Sequence, residues 1–278
     1  MQINGHKPIY LKKQKFKMYN SRPMNITIKN KEEIEKMRAV GKITAGILKF
    51  IEPYIKAGIT TIELNDICHK HMIEELKVIP APLNYRGFTK SICTSVNHQV
   101  CHSTPTHKKL KKGDIINIDI TIIKDLYHGD SSRMFFVGKP KIAGKRVSDI
   151  SYECLKRGIR VVKPGIKLSL IGKTIESYAK KNHCSVVEDY CGHGIGLAFH
   201  EEPQVLHYFD EKVETVLEEG MTFTIEPMIN IGKKKTLLLA DNWTVVTADH
   251  SLSAQWEHTI LVTKTGYEVL TLQENETI

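Results

Sequence analysis

Downstream of residue 30, apolar positions recur at the interval that lines one face of a helix: Ile34, Met37, Val40, Ile43, Ile47 and Leu48. The run opens on Asn30-Lys-Glu-Glu33, where Asn30 can cap the helix and Glu33, three residues on, can reach back to the cap. Similar periodicity predicts helices near 61–77, 147–161 and 168–181. Apolar, β-branched runs predict strands at 114–123, 133–137, 222–226, 243–247 and 258–263, with Gly113 and Gly220 at strand entries. Helices and strands in mixed order, with hairpin-like neighbours, predict an α+β architecture rather than a chain of βαβ units.

The pattern also repeats. Ile55-Lys-Ala-Gly-Ile59 is similar to Val162-Lys-Pro-Gly-Ile166, at an offset of 107 residues. Gly113-Asp-Ile-Ile-Asn-Ile-Asp119 is similar to Gly220-Met-Thr-Phe-Thr-Ile-Glu226, at the same offset. Two matches at one offset point to a duplicated half-domain. The second match sets one acid, Asp119, against another, Glu226. A pseudo-two-fold arrangement would aim both carboxylates at one central site.

Length and composition narrow the setting. A chain of 278 residues can bury a sizeable core, and 41% hydrophobic with 26% charged residues is ordinary for a soluble globular protein. No apolar run is long enough for a membrane helix, and the N-terminus lacks a secretory pattern, so the expected location is cytoplasmic. The cysteines, Cys68, Cys93, Cys101, Cys154, Cys184 and Cys191, form no Cys-x-x-Cys pair and read as free, mostly buried thiols. Net charge is +9, but Lys7, Lys12, Lys13, Lys15, Lys17 and Arg22 lie in an acid-free stretch, leaving +3 across 24–278. Residues 1–23 are therefore expected to be a separable basic, flexible extension, followed by a catalytic domain over 24–278.

The chemistry resides in acids set inside apolar strands. Asp119 lies in Ile118-Asp-Ile120, Glu226 in Thr224-Ile-Glu-Pro227 and Glu257 in Trp256-Glu-His-Thr-Ile260, and Asp130 follows Gly129. One such acid can mean only that one strand face is wet. Four of them, buried without partners, would each cost several kcal/mol or be forced neutral, and a metal is the obvious partner. An oxygen-rich donor set with one or two histidines suits Mn, Fe(II) or Co better than a closed thiolate zinc site. Cys68-His69-Lys-His71 is not such a cluster: His69 and His71 do not face each other on a helix, and the stretch is expected to be a solvated helix face. His207, His250 and His258 suggest no constellation.

The densest motif is Tyr190-Cys-Gly-His-Gly-Ile-Gly196 followed by Phe199-His-Glu-Glu-Pro203. Together with Thr222-Phe-Thr-Ile-Glu-Pro-Met228, Leu252-Ser-Ala-Gln-Trp-Glu-His258, Asn117-Ile-Asp119, His128-Gly-Asp130 and Val100-Cys-His102, it resembles the signatures of type I methionine aminopeptidases, from about Met24 to the C-terminus. The resemblance implies the pita-bread fold: a curved antiparallel sheet backed by helices, with internal pseudo-two-fold symmetry. It implies two divalent ions (Mn, Fe(II), Co or Zn) held by Asp119, Asp130, His193, Glu226 and Glu257. Asp130 and Glu257 would bridge both ions, Asp119 would bind one, and His193 and Glu226 the other. His102 and His200 would flank the scissile peptide, and Glu226 would also shuttle a proton. Tyr85, Phe88, Cys93, Phe199 and Trp243 fall where the family builds its methionine pocket. Cys101-His-Ser-Thr-Pro105 departs from the family's commoner Cys-His-Gly-Ile-Pro, Phe88 stands where a tyrosine is common and Pro82 where a cysteine often lies.

The implied activity is removal of the initiator methionine from nascent, deformylated proteins, preferring a small second residue. The enzyme is expected to be a monomer, with ribosome association possible through residues 1–23. A prolidase usually carries a further N-terminal domain. A type II methionine aminopeptidase carries a helical insertion for which the interval from His200 to Glu226 leaves no room. A metal-free relative that only binds partners would have lost ligands that are all present here.

Overall fold

The computed structural model describes residues 26–278, so the basic extension expected over 1–23 lies outside the described residues. Helix α1 (Lys31–Ile51) starts at Asn30 as the sequence predicts: Asn30 Oδ1 accepts from Glu33 N at 3.0 Å, and Glu33 Oε2 accepts from Asn30 N at 2.8 Å. Its inner face buries Met37, Val40, Ile47, Leu48 and Ile51, with Ile34 and Ile43 packed beside them. Burying each such side chain is worth about 1.5–3 kcal/mol, so tertiary packing rather than propensity fixes this helix.

Helix α2 (Thr61–Lys70) opens on a second capping box, Thr60 with Glu63, and passes into a π-helical turn, His71–Glu75. The helix expected to reach residue 77 thus ends irregularly. The solvated face expected around His69 and His71 is corrected as well. His69 Nδ1 lies 2.7 Å from Ser91 Oγ, and the His71 ring stacks 3.6 Å from that of Phe50. Both imidazoles present flat apolar surface and a polar nitrogen, and neighbouring side chains use both properties. Helices α3 (Ile142–Arg160) and α4 (Ser169–Lys181) match the remaining two periodic stretches.

The strand segments pair antiparallel. In the first half, strand Ile115–Lys124 is central: Tyr127–Phe136 pairs along one edge, while Ile79–Pro80 and Cys93–Val96 share the other. The run expected at 133–137 is the end of this longer strand, whose earlier part the sequence disguises with Gly129, Asp130, Ser131 and Ser132. In the second half, a five-stranded sheet runs in the order Tyr267–Val269, His258–Val262, Thr222–Ile225, Gly192–Gly194, Glu201–Val205. Two three-stranded pieces complete the layer: Ser253–Gln255, Met228–Asn230, Ser185–Val186, and Thr236–Leu238, Val245–Thr247, Gln99–Cys101. One apolar cluster lies beneath α1 and α2, another beneath α3 and α4.

The duplication is visible in backbone geometry. Gly58 and Gly165 have φ of +96° and +85°, and Gly113 and Gly220 have +92° and +90°. At such φ a Cβ is strained, which explains why both copies keep glycine there. Gly58 N donates to Leu110 O at 2.8 Å, and Gly165 N donates to Leu217 O at 2.8 Å, each partner again 107 residues apart. The bridge Thr60–Lys109 recurs as Lys167–Val216. Matched strands therefore bring Asp119 and Glu226 to a shared centre.

Candidate metal centre

Pairing on the first sheet sets one face of the site. Asp119 lies opposite Cys93 on one side and Ser132 on the other, and Asp130 lies opposite Thr121. Because side chains alternate along a strand, Cys93, Asp119, Thr121, Asp130 and Ser132 share a face. Thr121 Oγ1 donates to Asp130 Oδ1 at 2.8 Å.

The second half supplies the opposing wall. Glu226 follows strand Thr222–Ile225 and Glu257 precedes strand His258–Val262, which pairs with it. Thr224 Oγ1 donates to Glu226 Oε1 at 2.9 Å and Gln255 Nε2 to Glu226 Oε2 at 3.0 Å. Cross-links stitch the halves together at this point: Glu257 N donates to Ser132 O at 3.0 Å and Thr259 Oγ1 to Asp130 O at 2.7 Å. His193 is framed by Gly192 and Gly194, where an added Cβ would lie 2.4 Å from Thr224 O and 2.1 Å from Glu202 O. Only glycine permits the backbone approach that carries His193 into the wall.

The His193 ring is aimed by its backbone. Nδ1 lies 3.0 Å from Gly194 O and so carries the hydrogen, leaving the Nε2 lone pair free. Nε2 stands 3.6 Å from Asp130 Oδ2 and 3.7 Å from Glu226 Oε1. One donor atom each of Asp130, His193 and Glu257 lie within 4.8 Å of one another. Asp119 and Glu226 flank this trio.

The electrostatics suit a cation. Burial pushes the Asp119 carboxyl up to about 7 and that of Glu226 up to about 8. Burial, then the charges of Asp119 and Glu226, pushes Asp130 well above the carboxylate range, and burial, then Asp130, Glu226 and Asp119, does the same to Glu257. Burial also pushes His193 down to about 4, so its imidazole is neutral. Four carboxyls raised chiefly by burial, beside a neutral nitrogen lone pair, are a donor set for a hard or borderline divalent ion. The residues present therefore fit the metal that the sequence implied.

Beside the acids lies a second group. His102, at φ +52°, stands edge-on to Tyr190 with ring centroids 5.4 Å apart, and burial pushes it down to about 4. The His200 ring stacks on Phe199 at 4.2 Å and lies 4.2 Å from that of His193. The packed surroundings of His200, then His193 and His102, push it below the ordinary histidine range, although the residue itself is exposed. Tyr85 Oη lies 3.0 Å from His200 Nδ1, and the Tyr85 ring is 5.1 Å from that of Phe199. Buried Phe88 meets Trp243 edge-on at 5.0 Å. The expected pocket side chains thus form two aromatic pairs, Tyr85 with Phe199 and Phe88 with Trp243, while Cys93 lies opposite Asp119.

Two histidines read as without context have partners. Buried His207 accepts from Glu226 N through Nε2 at 3.1 Å, which fixes the backbone that presents Glu226. His258 Nδ1 lies 2.9 Å from Thr271 Oγ1, and Nε2 lies 3.5 Å from Glu276 Oε1. Burial would raise the Glu276 carboxyl, but His258, Arg133 and the Tyr152 hydroxyl hold it down at about 2. Thr121, Thr224 and Gln255 also serve the site, as donors to Asp130 and Glu226. Thr224 and Gln255 sit two residues from Glu226 and Glu257, within the motifs themselves, and that spacing was the available signal.

Residues 35–264 match metallopeptidase family M24. The chain is 54% identical over 256 residues to a methionine aminopeptidase of Salmonella typhimurium, covering 92% of this chain and 97% of that one. It is 53% identical over 256 residues to a methionine aminopeptidase of Escherichia coli, with the same coverage. The crystal structure of methionine aminopeptidase from Rickettsia prowazekii superposes with a TM-score of 0.87 at 52% identity, covering 89% of this chain and all of that one. A prolidase from Pyrococcus furiosus superposes less closely, at a TM-score of 0.66 and 25% identity, and the match covers only 66% of its length. With the duplicated α+β pita-bread fold and a carboxylate-rich centre in place, the chain belongs to the methionine aminopeptidases of metallopeptidase family M24.

Proposed function

We infer that the chain removes the N-terminal methionine of newly made, deformylated proteins, preferring a small second residue. The observation that carries this reading is the meeting of Asp130, His193 and Glu257 within 4.8 Å, beside the Phe199–His200 stack. Asp119, Asp130, His193, Glu226 and Glu257 would hold the metal in this reading, with Asp130 and Glu257 serving both ions of a two-ion site. Two divalent ions there would supply an activated water, polarise the scissile carbonyl and take the free α-amine.

The chain's own side chains do the rest. Tyr85 Oη lies 3.0 Å from Nδ1 of His200, and in the tautomer in which Nδ1 accepts that hydrogen bond Nε2 carries a hydrogen to donate to the carbonyl oxygen as charge develops there. A neutral imidazole is the right form for this role at neutral pH, and the depressed basicity of His200 supplies it. Glu226 takes the proton of the attacking water and passes it to the departing amine. His102 steadies the peptide nitrogen. Tyr85, Phe88, Cys93, Phe199 and Trp243 enclose the methionine side chain, whose thioether suits aromatic and sulfur-bearing walls.

No helix among the described residues is long and apolar enough to cross a membrane. Cytoplasmic action as a monomer, with domain 24–278 sufficient for catalysis and the basic residues 1–23 docking on ribosomal RNA, completes the reading. Met-Ala-Ser, Met-Leu-Ser and X-Pro peptides, assayed with Mn, Fe(II), Co and Zn in turn, test it. Met-Ala-Ser should be cleaved well, Met-Leu-Ser poorly and X-Pro not at all; preferential X-Pro cleavage would overturn it. Elemental analysis should find two ions per chain. Deletion of residues 1–23 should spare peptide cleavage and weaken ribosome co-sedimentation at low salt; equal sedimentation of both forms would remove the docking role.

A further inference from the structure

Ahead of α1, Lys29 is buried, with 7% of the residue exposed. A lysine there needs a partner, and its Nζ lies 2.6 Å from Glu201 Oε2. The same oxygen accepts from Thr27 Oγ1 at 2.6 Å, and Lys29 Nζ also contacts Thr27 Oγ1. The other carboxylate oxygen, Oε1, accepts from Ala198 N at 3.0 Å. The Glu201 side chain is 10% exposed and that of Lys29 5%, so this is a sequestered pair rather than a surface one. Lys29 N in turn donates to Gly220 O at 2.9 Å, which moors the segment to the second half.

The loop between His193 and Glu201 is shaped around this pair. An added Cβ at Gly196 would lie 2.6 Å from Lys29 Cε and 2.9 Å from Glu201 Oε1. On the other side, Gly196 O accepts from His128 N at 2.9 Å and lies 3.0 Å from His128 Nδ1. The His128 ring stacks 5.8 Å from that of Phe199. The loop is therefore fastened at Gly196, Ala198 and Glu201, and between the last two of these points it carries Phe199 and His200, the side chains that the proposed function sets against the substrate.

We propose that Lys29 is a positioning residue for catalysis: its buried ion pair with Glu201 latches the 196–201 loop and so holds His200 and Phe199 in register with the metal centre. This rests on the reading of His200 as the carbonyl donor. The latch lies outside the ligand set, and it ties the catalytic loop to the segment that leads into α1. The net electrostatics agree. Burial would raise the Glu201 carboxyl, but Lys29 and Thr27 with the Ala198 amide hold it below its ordinary value, so it stays a carboxylate.

The test is a double-mutant cycle on the metal-loaded full chain with Met-Ala-Ser. Lys29→Met should lower kcat roughly 10- to 100-fold, the scale of a small misplacement at a reacting centre, with metal content unchanged and KM moved less. In a His200→Ala background the same substitution should change kcat less than about 2-fold, because the side chain it positions is gone. Lys29→Arg should recover most of the loss. In the metal-free protein, amide exchange at Ala198 and its neighbours should accelerate in Lys29→Met. Wild-type kcat in Lys29→Met, or the same loss in both backgrounds, would overturn the latch while leaving His200's role standing. Wild-type kcat in His200→Ala would instead overturn the reading of His200. If Lys29→Met does not fold, Glu201→Gln, which keeps the side-chain shape and removes its charge, enters the same cycle under the same criteria.

Discussion

Asp119 and Asp130 project from two ten-residue strands, Ile115–Lys124 and Tyr127–Phe136, paired along their whole length. Their counterparts in the second half come from short pieces. His193 lies in a three-residue strand with a register shift between His193 and Gly194, and Glu226 and Glu257 stand at strand ends. The helices differ in the same sense. α1 and α2 each open on a capping box, while α3 and α4 begin at Lys141 and Leu168 with no side-chain cap. One scaffold was thus used twice: a regular half that holds carboxylates, and a broken half that admits an imidazole and a loop carrying His200. Regular pairing fixes direction, whereas interruption lets a side chain leave the plane of the sheet.

The largest effects should come from the residues that join the halves. Asp130→Asn or Glu257→Gln should abolish the centre, lowering kcat/KM by roughly 10³-fold or more, since a metal site contributes several kcal/mol to the transition state. Elemental analysis should find both ions depleted, whereas Asp119→Asn and Glu226→Gln should each deplete one. Wild-type activity in Asp130→Asn would remove the shared-ligand assignment. Next in size, His200→Ala should lower kcat roughly 10²-fold with metal retained, as when an oxyanion donor is removed. Metal loss as the main effect would assign His200 to the ligands instead.

A smaller effect compares the hydroxyls that orient each half's acid. Thr121→Val and Thr224→Val remove the donors to Asp130 and Glu226. Each should weaken metal affinity by roughly 10- to 100-fold, read by competition with a chelating dye. Thr224→Val should cost more, because its hydroxyl also accepts from His193 N at 3.0 Å. Equal losses would mean that the His193 contact adds nothing.

The pH response of the metal-free protein sharpens the same point. Asp119 and Glu226 are raised in the folded state, to about 7 and about 8, so the fold binds more protons than the unfolded chain and loses stability as pH rises through those values. His102 and His193 are lowered from 6.5 to about 4, so their contribution runs the other way and is complete above about 6.5. Between pH 6.5 and 8 the carboxylates act alone, and the melting temperature of chelator-treated protein should fall across that window. Added metal should restore it; a flat profile would show that these acids are not held protonated. The smallest effect is in the caps. Asn30→Ala and Thr60→Ala should each cost about 1 kcal/mol, while Lys141→Ala, at an uncapped start, should be near neutral in thermal melts.

Much of this was legible along the chain. The spacing from Ile34 to Leu48 and the Asn30–Glu33 pair predict α1 and its start, because periodicity and capping are local properties. The offset of 107 residues predicts the duplication, since Gly58, Gly113, Gly165 and Gly220 must each adopt positive φ and few other residues can. The acids inside apolar runs announce a metal, because a buried carboxylate without a partner is too costly to keep. The short strands Cys93–Val96, Gly192–Gly194 and Met228–Asn230 were not legible, being only three or four residues long.

Folding decided the partnerships, which depend on distance in space rather than along the chain. Nothing in the sequence around His207 links it to Glu226 N, nor does anything around His258 link it to Glu276. The pairing of Lys29 with Glu201, across 172 residues, is of the same kind. Sequence by itself determined which groups must be buried and which backbones must bend, because propensity, periodicity and desolvation act on each residue where it stands. Only the tertiary structure decided which buried charge meets which, because that choice is made when two distant strands or loops pack and the unpaired alternatives are excluded by the cost of burial.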